Sequence, residues 1–355
     1  MKISAVLRQR SASPRAAGLG AFAADRLGVP VVSCASELPA SYRSAKDAEQ
    51  VRAKLSPADA GMLYSGGRLV LQIHDEELRR ADASRSLLPQ LRDDELATTR
   101  TRLTLFDQGP GAGVAGSSGA AAWLQAASQT TGGGGDGAVS AEHLPSLDLS
   151  WDDPALAVRL SDRMGRASAL ARAVGLRDGR QLRVLDCTGG LGRDALWLAA
   201  MGCGVRVLER SPTVAGLLAC SSRLAAAQPV LGDPSILDRL SVRQAPAEAV
   251  LSTMFGRRGG PVADVVLLDP MFPPSRKSSA PSKHAQVLRA IAGEGSDQDT
   301  AALLRAALGP NLARRSRVVL KVPNAHSSAA LPGIPAPDFA VPARMFRFDV
   351  WLPRA

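Results

Sequence analysis

The stretch Val184-Leu-Asp-Cys-Thr-Gly-Gly-Leu-Gly-Arg-Asp194 runs from an apolar, strand-like segment through three glycines into a helical pattern. Gly189, Gly190 and Gly192 allow a tight turn and let a ligand approach the backbone where a Cβ would stand in the way. Asp186 falls at the carboxyl end of the strand, the edge at which open α/β sheets bind ligands. The spacing is not G-x-G-x-x-G, which disfavours a dehydrogenase, and the loop lacks the Gly-Lys-Ser/Thr ending of a phosphate-binding P-loop.

Outward from this loop the pattern is regular. Leu182–Asp186, Val205–Glu209, Leu240–Gln244, Val265–Asp269 and Arg317–Lys321 read as β-rich runs. Asp194–Met201, Val214–Ala227 and Thr300–Leu308 read as helices between them, and Ala155–Val174 as a helix ending at Gly175. Near-continuous apolar strands alternating with helices predict an α/β fold, a doubly wound and mostly parallel sheet covered on both faces. The alternating run Phe346–Leu352 is expected as an antiparallel last strand.

Residues 1–107 are expected to form a small N-terminal accessory α/β region, with a strand-like run at 68–73, charged helical stretches around Asp75–Arg92 and an amphipathic helix at 17–29. The acid-free residues 1–24 have a transit-peptide-like composition, but the helix favours a folded reading. Residues 108–142, with four consecutive glycines at 132–135, bury too little to repay their ordering entropy and read as a flexible insertion. The remainder, 143–355, is expected to be the catalytic domain.

Composition sets the class. The 355 residues are 45% hydrophobic and 21% charged, which permits a sizeable core. Net charge is +10, mostly from arginine, so a polyanionic partner is favoured. No apolar run reaches the ~18 residues that span a bilayer. The four cysteines form no C-x-x-C pair and lie far from the histidines, so no metal site or disulfide framework is expected and a reducing compartment is the default.

Two further features carry chemistry. Glu209 ends the next strand 23 residues after Asp186, close to the ~20-residue offset at which an acid accepts both hydroxyls of a nucleotide ribose. Leu268-Asp-Pro-Met-Phe-Pro273 ends the fourth strand of the regular region, so Asp269 would open onto the same crevice. Asp269-Pro-Met-Phe272 resembles the tetrad of amino-methyltransferases, which implies that acceptors on Asp269 and on the Pro270 carbonyl would hold the hydrogens of an exocyclic amine; the Phe272 ring could stack on a base. Asp269, Pro270 and Phe272 are therefore the catalytic candidates. Arg276 and Lys277, just beyond, would suit RNA phosphates, as would Lys283 beside His284, although any one of them could be a plain surface residue. Lys321 either lines the crevice or merely finishes its strand.

The glycine loop resembles motif I of class I (Rossmann-like) methyltransferases, and Asp269-Pro-Met-Phe272 resembles the [Asp/Asn]-Pro-Pro-[Tyr/Phe] motif of amino-methyltransferases. Together with Gly202-Cys-Gly-Val-Arg-Val-Leu-Glu-Arg-Ser-Pro212, Arg317–Lys321 and Arg347-Phe-Asp349, the chain over about 165–350 resembles the bacterial small-subunit rRNA guanine-N2 methyltransferase family known as RsmJ. That resemblance implies S-adenosylmethionine as cofactor, ribosomal RNA or the small ribosomal subunit as partner, and a cytoplasmic site of action. It implies cofactor contacts at Arg193, Asp194, Glu209, Arg210 and Asp269, beside Asp186, Gly189 and Gly192 of the loop. A contact pair after the third strand, usually two serines, falls here on Pro246 and Ala247, where only backbone contacts or a shifted role for Glu248 could survive. The competing readings are an amino-methyltransferase for another RNA base, DNA adenine or a protein glutamine, and a non-catalytic RNA-binding protein that keeps the fold.

Overall fold

The computed structural model describes residues 3–9, 14–27, 31–34, 69–77, 99–107, 146–149, 151, 156, 159–160, 168–177, 180–227, 233, 235–254, 263–273, 288–289, 291–293, 295–309 and 315–354. The chain divides into two compact units. One comprises 1–153, 219–230 and 280–292, and the other 154–218, 231–279 and 293–355.

In the first unit, strands β1 (Ile3–Gln9), β2 (Val31–Cys34), β3 (Leu69–Glu77), β4 (Thr99–Asp107) and β5 (Ser146–Asp148) form a sheet in the order β2-β1-β3-β4-β5. The parallel β2-β1-β3 part contains helix α1 (Pro14–Leu27) between β1 and β2, and β3 to β5 are antiparallel neighbours. The residues with transit-peptide-like composition thus supply an internal strand and most of a helix. Asp75–Glu77, expected as helix, instead extend β3, because each pairs with a residue of β4 across an unbroken ladder (Glu77 with Thr99). Residues 78–92 and the insertion 108–142 lie outside the described residues.

The second unit holds the seven-stranded sheet. Its strands are β6 (Arg183–Asp186), β7 (Gly204–Glu209), β8 (Leu240–Gln244), β9 (Val265–Leu268), β10 (Arg317–Pro323), β11 (Phe339–Pro342) and β12 (Phe346–Trp351). The order is β11-β12-β10-β9-β6-β7-β8. Strands β6 to β10 are parallel, while β12 runs antiparallel to both β10 and β11, as expected for the last strand. The helices in chain order are α2 (Ala169–Val174), α3 (Arg193–Ala200), α4 (Pro212–Ala227, in which the division at 218/219 falls), α5 (Ser235–Asp238), α6 (Ala247–Met254) and α7 (Asp297–Ala307). This is a doubly wound, Rossmann-like sheet. No helix among the described residues is long and apolar enough to cross a membrane.

Local chemistry explains the elements. All four residues of β9 are buried, and Val318–Leu320 of β10 are too, as parallel strands covered on both faces require. The Ser296 side chain accepts the Asp299 N–H at 3.0 Å and caps α7, with Asp297 and Asp299 at its positive end. The expected helix 155–174 is broken: Ser168 adopts extended ψ and its hydroxyl accepts the Ala171 N–H, so a new helix starts there. That helix ends, as expected, at Gly175 with φ +76°. Strand order reverses at β6, which has β9 on one side and β7 on the other, so their carboxyl ends frame the crevice that such sheets use.

One buried charge network secures the sheet edge. Asp349 on β12 accepts from Arg347 Nε at 2.8 Å, Arg347 Nη2 at 3.1 Å and Ser328 Oγ at 2.6 Å, and it is almost fully buried. Arg347 also donates to the His326 carbonyl at 3.0 Å. Removing the acid would strand a half-buried guanidinium. Asp349→Ala should therefore lower the unfolding free energy by about 3 to 5 kcal/mol in urea denaturation. A loss below about 1 kcal/mol would assign this network no structural role.

Candidate functional site

The site forms where β6, β7, β9 and β10 end. After β6 the chain turns through Cys187–Leu191 into α3. Gly189 donates to the Leu208 carbonyl at 3.0 Å, and a Cβ there would strike the Val207 side chain, so the loop packs against β7 only as glycine. Gly190 and Gly192 have φ of +51° and +73°, a region that L side chains rarely enter. Gly192 serves as N-cap of α3 without a side chain, and its carbonyl accepts the Leu196 N–H.

Thr188 ties two loops together. Its N–H and hydroxyl donate to Asp186 Oδ1 at 3.0 and 3.4 Å, and its Oγ1 accepts the Asp269 N–H at 2.6 Å. Glu209 ties a third: Oε2 accepts from the Gly190 N–H at 2.9 Å and Oε1 from the Ser211 N–H at 2.8 Å. Each oxygen keeps a second lone pair, so the buried carboxylate remains able to accept a ribose hydroxyl. The loop is thus held by bonds between its backbone N–H groups and the Asp186 and Glu209 carboxylates, and its glycines leave the cradle clear of side chains. That donor and acceptor set fits an adenosine-type cofactor lying along the carboxyl ends of β6 and β7.

Two cations hold the acids. Lys321 Nζ lies 2.7 Å from Asp269 Oδ2 and 3.2 Å from Asp194 Oδ2, and 4.9 Å from the centre of the Phe346 ring. Arg159 Nη2 reaches Asp194 Oδ1 at 2.6 Å. Asp269 Oδ1 takes no hydrogen bond among the described residues, and the Asp269 side chain is 41% exposed.

These placements shift the acidities. Burial, partly countered by the Thr188 N–H and reinforced by the charges of Asp194, Asp269 and Glu209, pushes Asp186 up to about 7. Burial also pushes Asp194 upward, but Lys321 and Arg159 outweigh it and hold this carboxyl at about 2. Asp269 is raised by burial and by Asp194, with Lys321 opposing. Lys321 loses basicity to burial and regains more from Asp269 and Asp194, so it is raised on balance.

The expected residues are not equally gathered. Asp186, Gly189, Gly192, Asp194, Glu209 and Asp269 converge at the crevice. Arg193 opens α3 and is half-buried, whereas Arg210 is exposed just beyond β7. Pro246 is exposed and Ala247 buried in the turn into α6, anchored where the Ala245 N–H meets the Glu209 carbonyl at 3.0 Å. Pro270 is half-buried after β9. Phe272, expected as a stacking surface, is only 4% exposed and packs on the His326 ring with centroids 5.1 Å apart. Arg276, Lys277, Lys283 and His284 lie outside the described residues.

Sequence reasoning missed Arg159 and Thr188, and left Lys321 open. A lysine closing an apolar run of a buried strand was the available signal, because its charge needs partners there. Arg159 carried none, since its partner stands 35 residues further along the chain.

A family profile described as "Putative SAM-dependent methyltransferase" matches residues 138–353. The chain is 40% identical over 209 residues to a ribosomal RNA small subunit methyltransferase J of Aeromonas hydrophila, covering 59% of this chain and 79% of that protein. It is 38% identical over 211 residues to the protein of the same description in Rhodopseudomonas palustris, covering 59% and 89%. Among solved structures it is similar to a SAM-dependent methyltransferase from Neisseria gonorrhoeae, at 19% identity and a TM-score of 0.48 over 98% of this chain and 95% of that one.

The raised Asp186 carboxyl has a consequence for stability. Between about pH 4 and 7 the folded protein binds a proton that the unfolded chain has released. Stability from this group is fully present below about pH 4 and is lost as pH rises to about 7. Asp194 acts oppositely: its stability is present above about pH 4 and lost as pH falls toward about 2. Asp186→Asn keeps an acceptor for Thr188 and should make the decline between pH 4.5 and 7.5 shallower, leaving the part that the raised Asp269 carboxyl contributes. Parallel stability curves for variant and parent, measured by urea denaturation across that range, would refute the shift.

Proposed function

The chain belongs to the ribosomal RNA small subunit methyltransferase J family of S-adenosylmethionine-dependent methyltransferases, and from that membership we propose that it methylates the exocyclic N2 amine of a guanosine in small-subunit ribosomal RNA. The cofactor is S-adenosylmethionine, which when bound supplies an electrophilic methyl group. Acting on ribosomal RNA, the enzyme would work in the cytoplasm.

Asp269 carries the proposal. It stands at the carboxyl end of β9 beside the glycine loop, its backbone fixed by Thr188 and one carboxylate oxygen fixed by Lys321. The other oxygen is open to an N–H of the target amine, and the Pro270 carbonyl would accept the second N–H. Both acceptors orient the nitrogen so that its lone pair points along the line of attack, and such positioning supplies much of the rate. The base's own π-system delocalises that lone pair, so no strong base is needed beforehand. Once the amine is methylated its proton is acidic, and Asp269 Oδ1 would receive it.

Glu209 would hold the ribose of the cofactor, with Gly190 and Ser211 fixing the carboxylate from behind. Asp186, Gly189, Gly192, Arg193, Asp194 and Arg210 would complete the cofactor cradle, with Pro246 and Ala247 contributing backbone. Asp194, already paired to Lys321 and Arg159, would act as a fixed negative charge. Phe272, packed against His326, would form the wall behind the base, and Arg276 and Lys277 would contact phosphates.

The direct test is tritiated-methyl transfer to small-subunit rRNA and to assembled small subunits, followed by nucleoside analysis. Label should appear as N2-methylguanosine; label on adenine, or none, would overturn the assignment of the base. Asp269→Ala should abolish transfer while S-adenosylmethionine affinity stays within a few-fold, and near-normal activity would sink the role given to Asp269. Glu209→Ala should weaken S-adenosylmethionine binding by about 1 to 3 kcal/mol for a lost charge-assisted hydrogen-bond pair. Unchanged affinity in calorimetry would show that Glu209 does not hold the ribose.

A further inference from the structure

At the amino-terminal ends of the same strands, opposite the crevice, two segments bring arginines together. Arg177 and Arg180 share a turn, with the Arg180 N–H on the Arg177 carbonyl at 3.2 Å, and both are exposed. Arg172, in the last turn of α2, and Arg183, opening β6, are exposed as well. From the other segment, Arg315 is exposed and Arg317 opens β10. Parallel pairing joins the two segments: Val184 and Arg317 both lie opposite Val265, and the Arg317 N–H donates to the Asp264 carbonyl at 2.9 Å.

The arrangement is held in place. Arg317 Nη1 donates to the Ala173 carbonyl at 3.0 Å, under Gly175, where any Cβ would strike the guanidinium. Arg183 grips Asp264 through its N–H at 2.8 Å, Nε at 3.2 Å and Nη2 at 3.3 Å. Asp264 is the one described acid bonded to this group; Asp178, between Arg177 and Arg180 in sequence, lies outside the described residues. Burial lowers the Arg317 pKa, and the charges of Arg177 and Arg180 lower it further. Like charges so crowded cost stability, and a bound polyanion offsets that cost.

We propose that this arginine face is a second contact surface for the RNA substrate, binding backbone phosphates away from the target base; the inference rests on the ribosomal RNA reading above. All six cations are guanidiniums, whose planar fork grips phosphate oxygens in pairs, where lysines would act as point charges. Arg183 and Arg317 are spent on the protein and set the frame. Arg172, Arg177, Arg180 and Arg315 point the remaining charge outward. Phosphate contacts carry no sequence information, so the surface supplies affinity and orientation while the crevice selects the base.

The test is the double variant Arg177→Glu/Arg180→Glu, compared with the parent in fluorescence-anisotropy binding of labelled small-subunit rRNA across a salt series. Both residues are exposed and bond no side chain among the described residues, so the melting temperature and S-adenosylmethionine affinity should stay unchanged. RNA affinity should fall by about tenfold or more near 0.1 M salt, and the slope of log affinity on log salt should shrink by about 1.5, the share of two phosphates. Unchanged affinity and slope would overturn the proposal, as would loss of binding to an acidic small-subunit protein with RNA binding intact. Binding is read without methyl transfer, so the two readings fail separately. A parent that binds this RNA through the arginines but methylates none of it keeps the surface and loses the target. A parent that methylates it with binding indifferent to both arginines does the reverse.

Discussion

The ammonium of Lys321, bridging Asp269 and Asp194, is the interaction on which the rest of the site depends. A parallel sheet turns all its carboxyl ends toward one edge, and here four strand-end or helix-start positions at that edge are acids: Asp186, Asp194, Glu209 and Asp269. Left alone they would repel one another in a poorly solvated crevice, and protonation or expansion would follow. Strand register supplies the remedy. Leu268 lies beside Leu320, so the next residues, Asp269 and Lys321, emerge together at the sheet edge. Asp194 is brought in from the first turn of α3, and Arg159 takes its other oxygen. Asp186 pairs with no cation among the described residues, and burial pushes its carboxyl up to about 7.

What these ties accomplish is pre-organisation. Thr188 connects the loop after β6 to the loop after β9, and Glu209 connects the glycine turn to the end of β7. Three loops from three strands are therefore fixed to one another by short hydrogen bonds. The glycines are what permit it, since Gly189 lies against Val207 with no room for a Cβ. Gly295 does similar service, for a Cβ there would fall on the Met271 carbonyl that follows Asp269 and Pro270. Methyl transfer to a weak nucleophile gains most from such fixed geometry, because the protein has little covalent chemistry to add.

The sequence made the sheet legible because parallel strands are apolar on both faces and end in polar turns. Each of the five expected parallel strands is present within a few residues of its expected bounds. The edge was harder to read. Strand β11 contains Pro342, a residue an edge strand tolerates because one side of its ladder is unpaired, yet one that argues against a strand on pattern alone. Helix α6 went unseen behind Pro246, and the helix expected over 155–174 hid the break that Ser168 imposes by bonding its own first turn. At the site, Asp186, Glu209 and Asp269 were legible because strand-end acids have a fixed address. Arg159 and Lys321 depend on tertiary pairing, which leaves no local periodicity. Phe272 shows the converse limit: an aromatic next to a proline says nothing of its exposure, and the fold packs it onto His326.

The distribution of charge between the two edges of the sheet bears on substrate capture. Within β6 the chain runs from Arg183 to Asp186, and Glu209 and Asp269 close β7 and follow β9, while Arg317 opens β10 at the amino edge. The carboxyl edge is acidic and the amino edge is rich in arginine. An RNA strand approaching the crevice would meet carboxylates, and phosphates would be repelled there unless something offset the field. Lys321 and Arg159 reduce that field, and so does burial, which raises the Asp186 carboxyl to about 7. A base is uncharged and can enter such a pocket; its flanking phosphates cannot be held by it. Affinity for a polyanion therefore draws on cations other than those that hold the acids, on Arg276 and Lys277 as proposed above and on the arginine face at the opposite edge, so that part of substrate binding is separated from the crevice that reacts.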